Sequence, residues 1–247
     1  MHPEFFKIGP ITIYSYGVML ALAFSVGIYL ARERAIKVGI NPKIIMDLGV
    51  YILLASIVGA RLLYVLTNLD EYREHPLTAV FSRYGFVFYG GLIFAIIVGI
   101  WYLKRHKLPV WQIVDVLVPS IPIGQVIGRI GCFLNGCCYG KPTTLPWGVM
   151  VPGRDPLDLR PLHPTQIYSS VGDLIIFFIL SYLWKRRKFE GQILLMYLML
   201  YSILRFIIEM YRGDNPYLLF NLTLSQILSI FIGSGVLTIM VRKNLKR

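Results

Sequence analysis

Seven stretches of this chain are long and apolar enough to cross a bilayer, and no other feature restricts its fold so severely. A helix needs about 20 mostly apolar residues to span the hydrocarbon layer. The stretches lie at roughly 14–32, 45–67, 86–103, 112–133, 167–184, 191–211 and 223–241. Charged residues make up 15% of the chain, against ~25% in soluble domains, and 56% of it is hydrophobic. Nothing between the stretches is long enough to bury a soluble core of its own. The sequence therefore predicts an all-α membrane protein of about seven transmembrane helices, forming one polytopic domain over residues 1–247. Asp47, Asp115, Pro119 and Pro122 interrupt the second and fourth stretches. Backbone groups freed by such residues need protein or water as partners, so these two spans are expected to face the bundle interior.

Basic residues in the connections set the orientation. Arg32, Arg34, Lys37, Lys43, then Lys104, Arg105, Lys107, then Lys185, Arg186, Arg187, Lys188, and finally Arg242, Lys243, Lys246, Arg247 all fall on one side. The other side carries Lys7, Arg73, Arg83, Lys141, Arg154, Arg160 and Arg212. The richer side is cytoplasmic, which puts the N-terminus outside and the C-terminus inside. The net charge of +12 is thereby explained by loops facing an anionic lipid surface, and nucleic acid is not an expected partner. Met1 to Ile13 lacks the basic region of a signal peptide, so the first span is expected to stay in place. Tyr14, Tyr16, Trp101 and Trp111 read as interfacial anchors. A Pro- and Gly-rich outer loop at about 135–165 is the expected cap over a site.

Three arginines remain inside the spans: Arg61, Arg129 and Arg205. A central arginine costs about 2.5–3.5 kcal/mol to insert, so each is a functional candidate. Guanidinium matches phosphate through two parallel hydrogen bonds. The bland alternatives are snorkelling towards the head groups and structural pairing. Around Arg205, residues Tyr201, Glu209 and Arg212 share its helical face, and Glu209 can pair with either arginine. Such a polar stripe must face protein or water, as a purely structural network would also do. Arg129 lies in Gly128-Arg129-Ile130-Gly131-Cys132-Phe133-Leu134-Asn135-Gly136-Cys137-Cys138-Tyr139-Gly140. Glycines there permit close helix approach or a tight turn with free backbone donors.

These residues resemble the prolipoprotein diacylglyceryl transferase family, over essentially the whole chain. Gly128, Arg129, Gly131, Phe133, Asn135 and Gly140 meet its signature in order. His163-Pro164-Thr165-Gln166-Ile167-Tyr168 is similar to its His-Pro-x-Gln-hydrophobic-Tyr segment, and Tyr201, Arg205, Glu209 and Arg212 to its sixth helix. Gly85-Phe86-Val87-Phe88-Tyr89-Gly90-Gly91 aligns with its Phe-His-Gly-Gly segment. The resemblance implies a seven-span enzyme of the bacterial inner membrane, with its site towards the outer leaflet. Such enzymes transfer the diacylglyceryl group of phosphatidylglycerol to the lipobox cysteine of a prolipoprotein signal peptide, forming a thioether and releasing glycerol phosphate. No cofactor or metal is implied.

Carried onto this chain, the resemblance makes Arg129, Arg205, Tyr89 and His163 the candidate catalytic residues. Arg129, Gly131, Asn135, Gly140, Tyr201, Glu209, Arg212 and the interior Arg61 are the candidate substrate-binding residues. Positive charge at the departing phosphate stabilises the transition state, and it lowers the pKa of the attacking thiol. The family's usual histidine before Gly-Gly, a candidate base, is Tyr89 here; its signature glutamate is Gly136, and the glutamate after Gln-x-Tyr is Ser169. The three cysteines, Cys132, Cys137 and Cys138, are open to three readings: a zinc site, a disulfide, or packing as small buried residues. Asp115 and Asp173 are expected to pair with basic or hydroxyl neighbours. A transporter or flippase binding an anion at the same arginines is the reading from another class. It would show paired halves with broken helices, and no such internal symmetry is evident. A member that binds the lipid but has lost catalysis through Tyr89 is a third.

Overall fold

The computed structural model describes residues 1–9, 11–70, 85–151 and 160–245. Arg73, His75, Arg83, Arg154, Lys246 and Arg247, and residues 152–159 of the expected outer cap, lie outside the described residues. Seven helical spans are long and apolar enough to cross a membrane. They are α1 (Ser15–Lys37), α2 (Pro42–Thr67), α3 (Phe88–Arg105), a composite of α4 (Val110–Leu117) and α5 (Ile121–Asn135), α6 (Thr165–Trp184), α7 (Gln192–Tyr211) and α8 (Leu224–Leu245). The all-α, seven-span expectation holds, with two small hairpins added. β1 (Glu4–Ile8) pairs antiparallel with β2 (Ile11–Tyr14) before α1, and β3 (Tyr217–Leu219) with β4 (Leu222–Thr223) before α8.

Several helices outrun their apolar stretches, because polar residues at the ends continue the backbone pattern. α1 runs on to Lys37 with Arg34 and Lys37 in its last turn, where positive charge complements the helix dipole. α2 begins early, at Pro42, because Asn41 Oδ1 accepts from the Lys43 amide at 3.0 Å and Pro42 presets the first turn. Asp47 does not break α2. The fourth span does break, as a 3-10 turn at Val118–Ser120 that contains Pro119, and Pro122 sits in the first turn of α5.

The chain divides into two compact units, one of residues Arg32–Ile113 and one of Met1–Ala31 with Val114–Arg247. In the first, α2 and α3 pack backbone to backbone. A Cβ placed on Gly90 would lie 2.3 Å from the Gly59 carbonyl oxygen, a distance no side chain tolerates. The Gly90-Gly91 pair therefore sets a helix crossing, as small residues do between membrane helices. In the second unit, Asp115 is fully buried. It was expected to pair with a basic or hydroxyl group; instead its carboxylate accepts the amides of Gly191 (2.8 Å), Ile193 (3.1 Å) and Leu194 (3.3 Å). Those amides open α7 and have no partner within their own helix, so a distant carboxylate caps it and meets its positive dipole end. Asp173, buried on α6, has Oδ1 without a hydrogen bond among the described residues; its charged neighbour is Arg129.

Candidate active site

Four residues apart on α7, Arg205 and Glu209 form an ion pair, with Nη2 to Oε2 at 2.8 Å. The Glu209 side chain is fully buried. A carboxylate out of water needs several partners. Its Oε1 accepts from Thr223 Oγ1 at 2.9 Å and from Asn215 Nδ2. The Oε2 contact is electrostatic, lacking hydrogen-bond alignment. Arg205 Nη2 also donates to Ser225 Oγ at 2.9 Å, while its Nη1 is buried without a hydrogen-bond partner among the described residues. The choice left open for Glu209 is thus resolved in favour of Arg205. α7 ends at Tyr211, so Arg212 leaves the helix in an extended conformation. There Asp214 takes its guanidinium through two hydrogen bonds, Nε to Oδ1 at 2.8 Å and Nη2 to Oδ2 at 2.5 Å.

Arg129 stands on α5, half-buried, and makes no hydrogen bond or ion pair among the described residues. The charges of Arg212 and Arg129 both reach Arg205, as repulsion. Glu209 and Asp214 each hold one of the three guanidiniums, and Arg129 adds positive charge to the group.

The segment after α5 is held in place by the start of α6. Gly136 ends α5 at φ 74°. Gln166 Nε2 donates to the Cys137 carbonyl at 2.6 Å and Thr165 Oγ1 to the Cys138 carbonyl at 2.7 Å. Gly140 then passes between two backbones, its amide donating to the His163 carbonyl at 2.9 Å and the Lys141 amide to the Tyr211 carbonyl at 2.8 Å. A Cβ on Gly140 would lie 2.6 Å from the Tyr211 oxygen and 2.7 Å from His163 Cβ. The closing glycine of the motif is required by that passage. Lys141 Nζ donates to the Met210 carbonyl at 3.0 Å, placing a cation at the C-terminal end of α7. His163 Nδ1 lies 3.2 Å from Tyr168 Oη, which accepts from Trp147 Nε1 at 2.7 Å. The rings of His163, Tyr168 and Tyr211 meet edge to face.

Three further candidates join this unit in other ways. Gly131 is buried against Met19 of α1, where a Cβ would come within 2.9 Å. Asn135 ends α5, exposed. Tyr201 stacks on Tyr197, whose hydroxyl donates to Gln125 Oε1 at 3.2 Å. Arg61 and Tyr89 belong to the α2–α3 unit. Arg61 Nη1 donates to the Gly85 carbonyl at 2.9 Å, and its guanidinium lies over Tyr64 and Phe86. Tyr89 is 41% exposed, edge-on to Phe88.

The residues that complete the Glu209 network, Asn215, Thr223 and Ser225, were not among the sequence candidates. One signal for them existed. Thr223-Leu224-Ser225-Gln226 is a capping box: the Gln226 amide donates to Thr223 Oγ1 at 3.4 Å and the Thr223 amide to Gln226 Oε1 at 3.0 Å. The cysteines are free thiols, so the disulfide reading is not what the fold adopts. The Cys137 thiol donates to the Cys132 carbonyl at 3.6 Å, and the charges of Arg212 and Arg129 act on the Cys138 thiol.

Seven spans long and apolar enough to cross a bilayer, with a group of arginines beside a motif-bearing turn, are those of an integral membrane protein. The chain belongs to the prolipoprotein diacylglyceryl transferase family, whose model matches residues 3–242. It is 38% identical to the phosphatidylglycerol–prolipoprotein diacylglyceryl transferase of Clostridium tetani, over 94% of this chain and 93% of the relative. The enzymes of the same name from Finegoldia magna (38%, covering 97% and 96%) and Thermotoga maritima (37%, covering 91% and 78%) are similar along comparable lengths.

Proposed function

We infer that this chain transfers the diacylglyceryl group of phosphatidylglycerol to a prolipoprotein, the first step of lipoprotein maturation. The acceptor in this reading is the lipobox cysteine of the signal peptide. Its sulfur attacks the glyceryl carbon, a carbon–sulfur bond forms as the carbon–oxygen bond to phosphate breaks, and glycerol phosphate departs with the electron pair. The protein works in the bacterial inner membrane with its N-terminus outside, its C-terminus in the cytoplasm and its site towards the outer leaflet.

The observation that carries the roles is Arg129, a half-buried guanidinium with no hydrogen bond or ion pair among the described residues. Arg129 holds the donor phosphate, and Arg205, oriented by Glu209 and Ser225, meets the charge that grows on the leaving group. The buried Nη1 of Arg205 supports this, since an unmet donor in an apolar span costs ~1–3 kcal/mol unless a ligand meets it. Arg212 adds positive charge, Tyr201 and Asn135 line the approach, and Gly131 and Gly140 give the backbone its close passages. Arg61 supports the fold of the α2–α3 unit. His163 takes the thiol proton and Tyr89 positions the substrate.

The test is transfer from phosphatidylglycerol vesicles to a lipobox peptide by the purified protein, with the thioether product measured by mass spectrometry. Well-folded wild type that forms no product would sink the reading. In the same assay His163→Gln is expected to lose most of the transfer rate, whereas Tyr89→Phe keeps most of it. An unchanged rate in His163→Gln removes the histidine from its role.

A further inference from the structure

Cys132, Cys137 and Cys138 take no part in the reaction proposed above, yet the fold brings all three together. Their Sγ atoms lie within 4.8 Å of one another, and each thiol is partly accessible. Cys132 stands in the last turn of α5, and the turn at Gly136 returns the chain so that the Cys137 amide donates to the Cys132 carbonyl at 3.1 Å. Cys138 has φ 61°, a left-handed conformation. For a residue with a side chain that conformation costs about 1–3 kcal/mol and persists only when its surroundings enforce it. Here Gln166 and Thr165 enforce it, through the carbonyls of Cys137 and Cys138. Small residues packed merely to fill space would not need a strained, doubly pinned turn.

We propose that Cys132, Cys137 and Cys138 form a three-sulfur site for a soft monovalent cation of the copper(I) or silver(I) kind. Sulfurs about 2.3 Å from a three-coordinate ion lie ~4 Å apart, so edges of at most 4.8 Å close with a small contraction. Thiolates select soft ions. Zinc prefers four ligands, and among the described residues no histidine or carboxylate joins the three sulfurs. Three thiolates around a monovalent ion leave a double negative charge. Arg212 and Arg129, whose charges act on Cys138 Sγ, offset it. The proposal stands on this cluster alone and does not depend on the transferase reading.

The full-length protein, purified in detergent, reduced and desalted without air, is titrated with copper(I) against a chromogenic copper(I) chelator, and bound metal is counted by mass spectrometry. Wild type is expected to retain one ion per chain. Cys132→Ser and Cys138→Ser are each expected to weaken retention by more than the roughly 10–100-fold that loss of an outer-shell partner causes. Zinc added in the same way is expected to wash off. A second measurement needs no variant: copper(I) should protect all three cysteines together from alkylation by N-ethylmaleimide, read peptide by peptide. Retention equal to that of the triple serine variant overturns the proposal. So does protection of fewer than three thiols or tighter retention of zinc.

Discussion

Arg61 and Arg129 both stand inside apolar helices beside a glycine-containing motif, yet they use their donors differently. Arg61, on α2, donates to the Gly85 carbonyl and lies over two aromatic rings. Arg129, on α5, has no hydrogen bond or ion pair among the described residues, and the charges around it include Asp173, Cys138 and Arg205. Inserting either costs roughly 2.5–3.5 kcal/mol. For Arg61 protein groups offset that cost; for Arg129, in the proposed reading, the lipid phosphate does. The difference teaches that position within a span does not separate a structural arginine from a binding one. In the proposed reading, the destination of its hydrogen bonds does. The glycines divide the same way: Gly90 serves a helix crossing in one unit, and Gly140 threads the motif past His163 and Tyr211 in the other.

The largest effect is expected from Arg129→Ala, a fall in transfer of about 10²–10³-fold, the range for losing one donor to a developing charge. Its thermal unfolding should barely move, because no hydrogen bond or ion pair within the described residues is lost. Arg129→Lys keeps the charge but not the planar fork, and should restore only part of the rate. Glu209→Gln comes next. It leaves Arg205 without its carboxylate and is expected to cost ~3 kcal/mol of stability, read by thermal unfolding, along with a loss of transfer. Stability that does not change would show that Asn215, Thr223 and Ser225 hold the network without the charge. Arg61→Ala inverts the pattern of Arg129→Ala: a stability loss of about 1–3 kcal/mol, as for other lost buried hydrogen-bond partners, exceeds any change in turnover per folded molecule. The smallest effect belongs to Asp115→Asn, ~1 kcal/mol for a weakened helix cap, measured by thermal unfolding.

The seven spans were legible because hydrocarbon thickness fixes a minimum apolar length, and no loop in this chain imitates it. The break in the fourth span was legible from Pro119 and Pro122, whereas Asp47 gave a false sign of interruption in the second. Helical spacing offered Glu209 two arginines without deciding between them, because the end of α7 at Tyr211 is what carries Arg212 away. Asp115 was not legible at all. Its partners are backbone amides at Gly191, Ile193 and Leu194, remote in sequence, and backbone donors leave no mark on residue type. The motif residues stood out, but the reasons for Gly90 and Gly140 lie in distances that only the packed helices reveal. Asn215 carried no signal, while the Thr223-x-x-Gln226 box carried one that concerned α8 and said nothing of Glu209.

The central claim, that Arg129 and not Arg61 keeps its bonding capacity for the donor phosphate, is tested most directly by one paired measurement. Transfer rate is followed against phosphatidylglycerol content of the vesicles for folded Arg129→Ala and Arg61→Ala, each normalised to active wild type. The expected result is a loss of about 100-fold or more for Arg129→Ala, with a far smaller loss for Arg61→Ala. Equal losses, or a larger loss for Arg61→Ala, would contradict it.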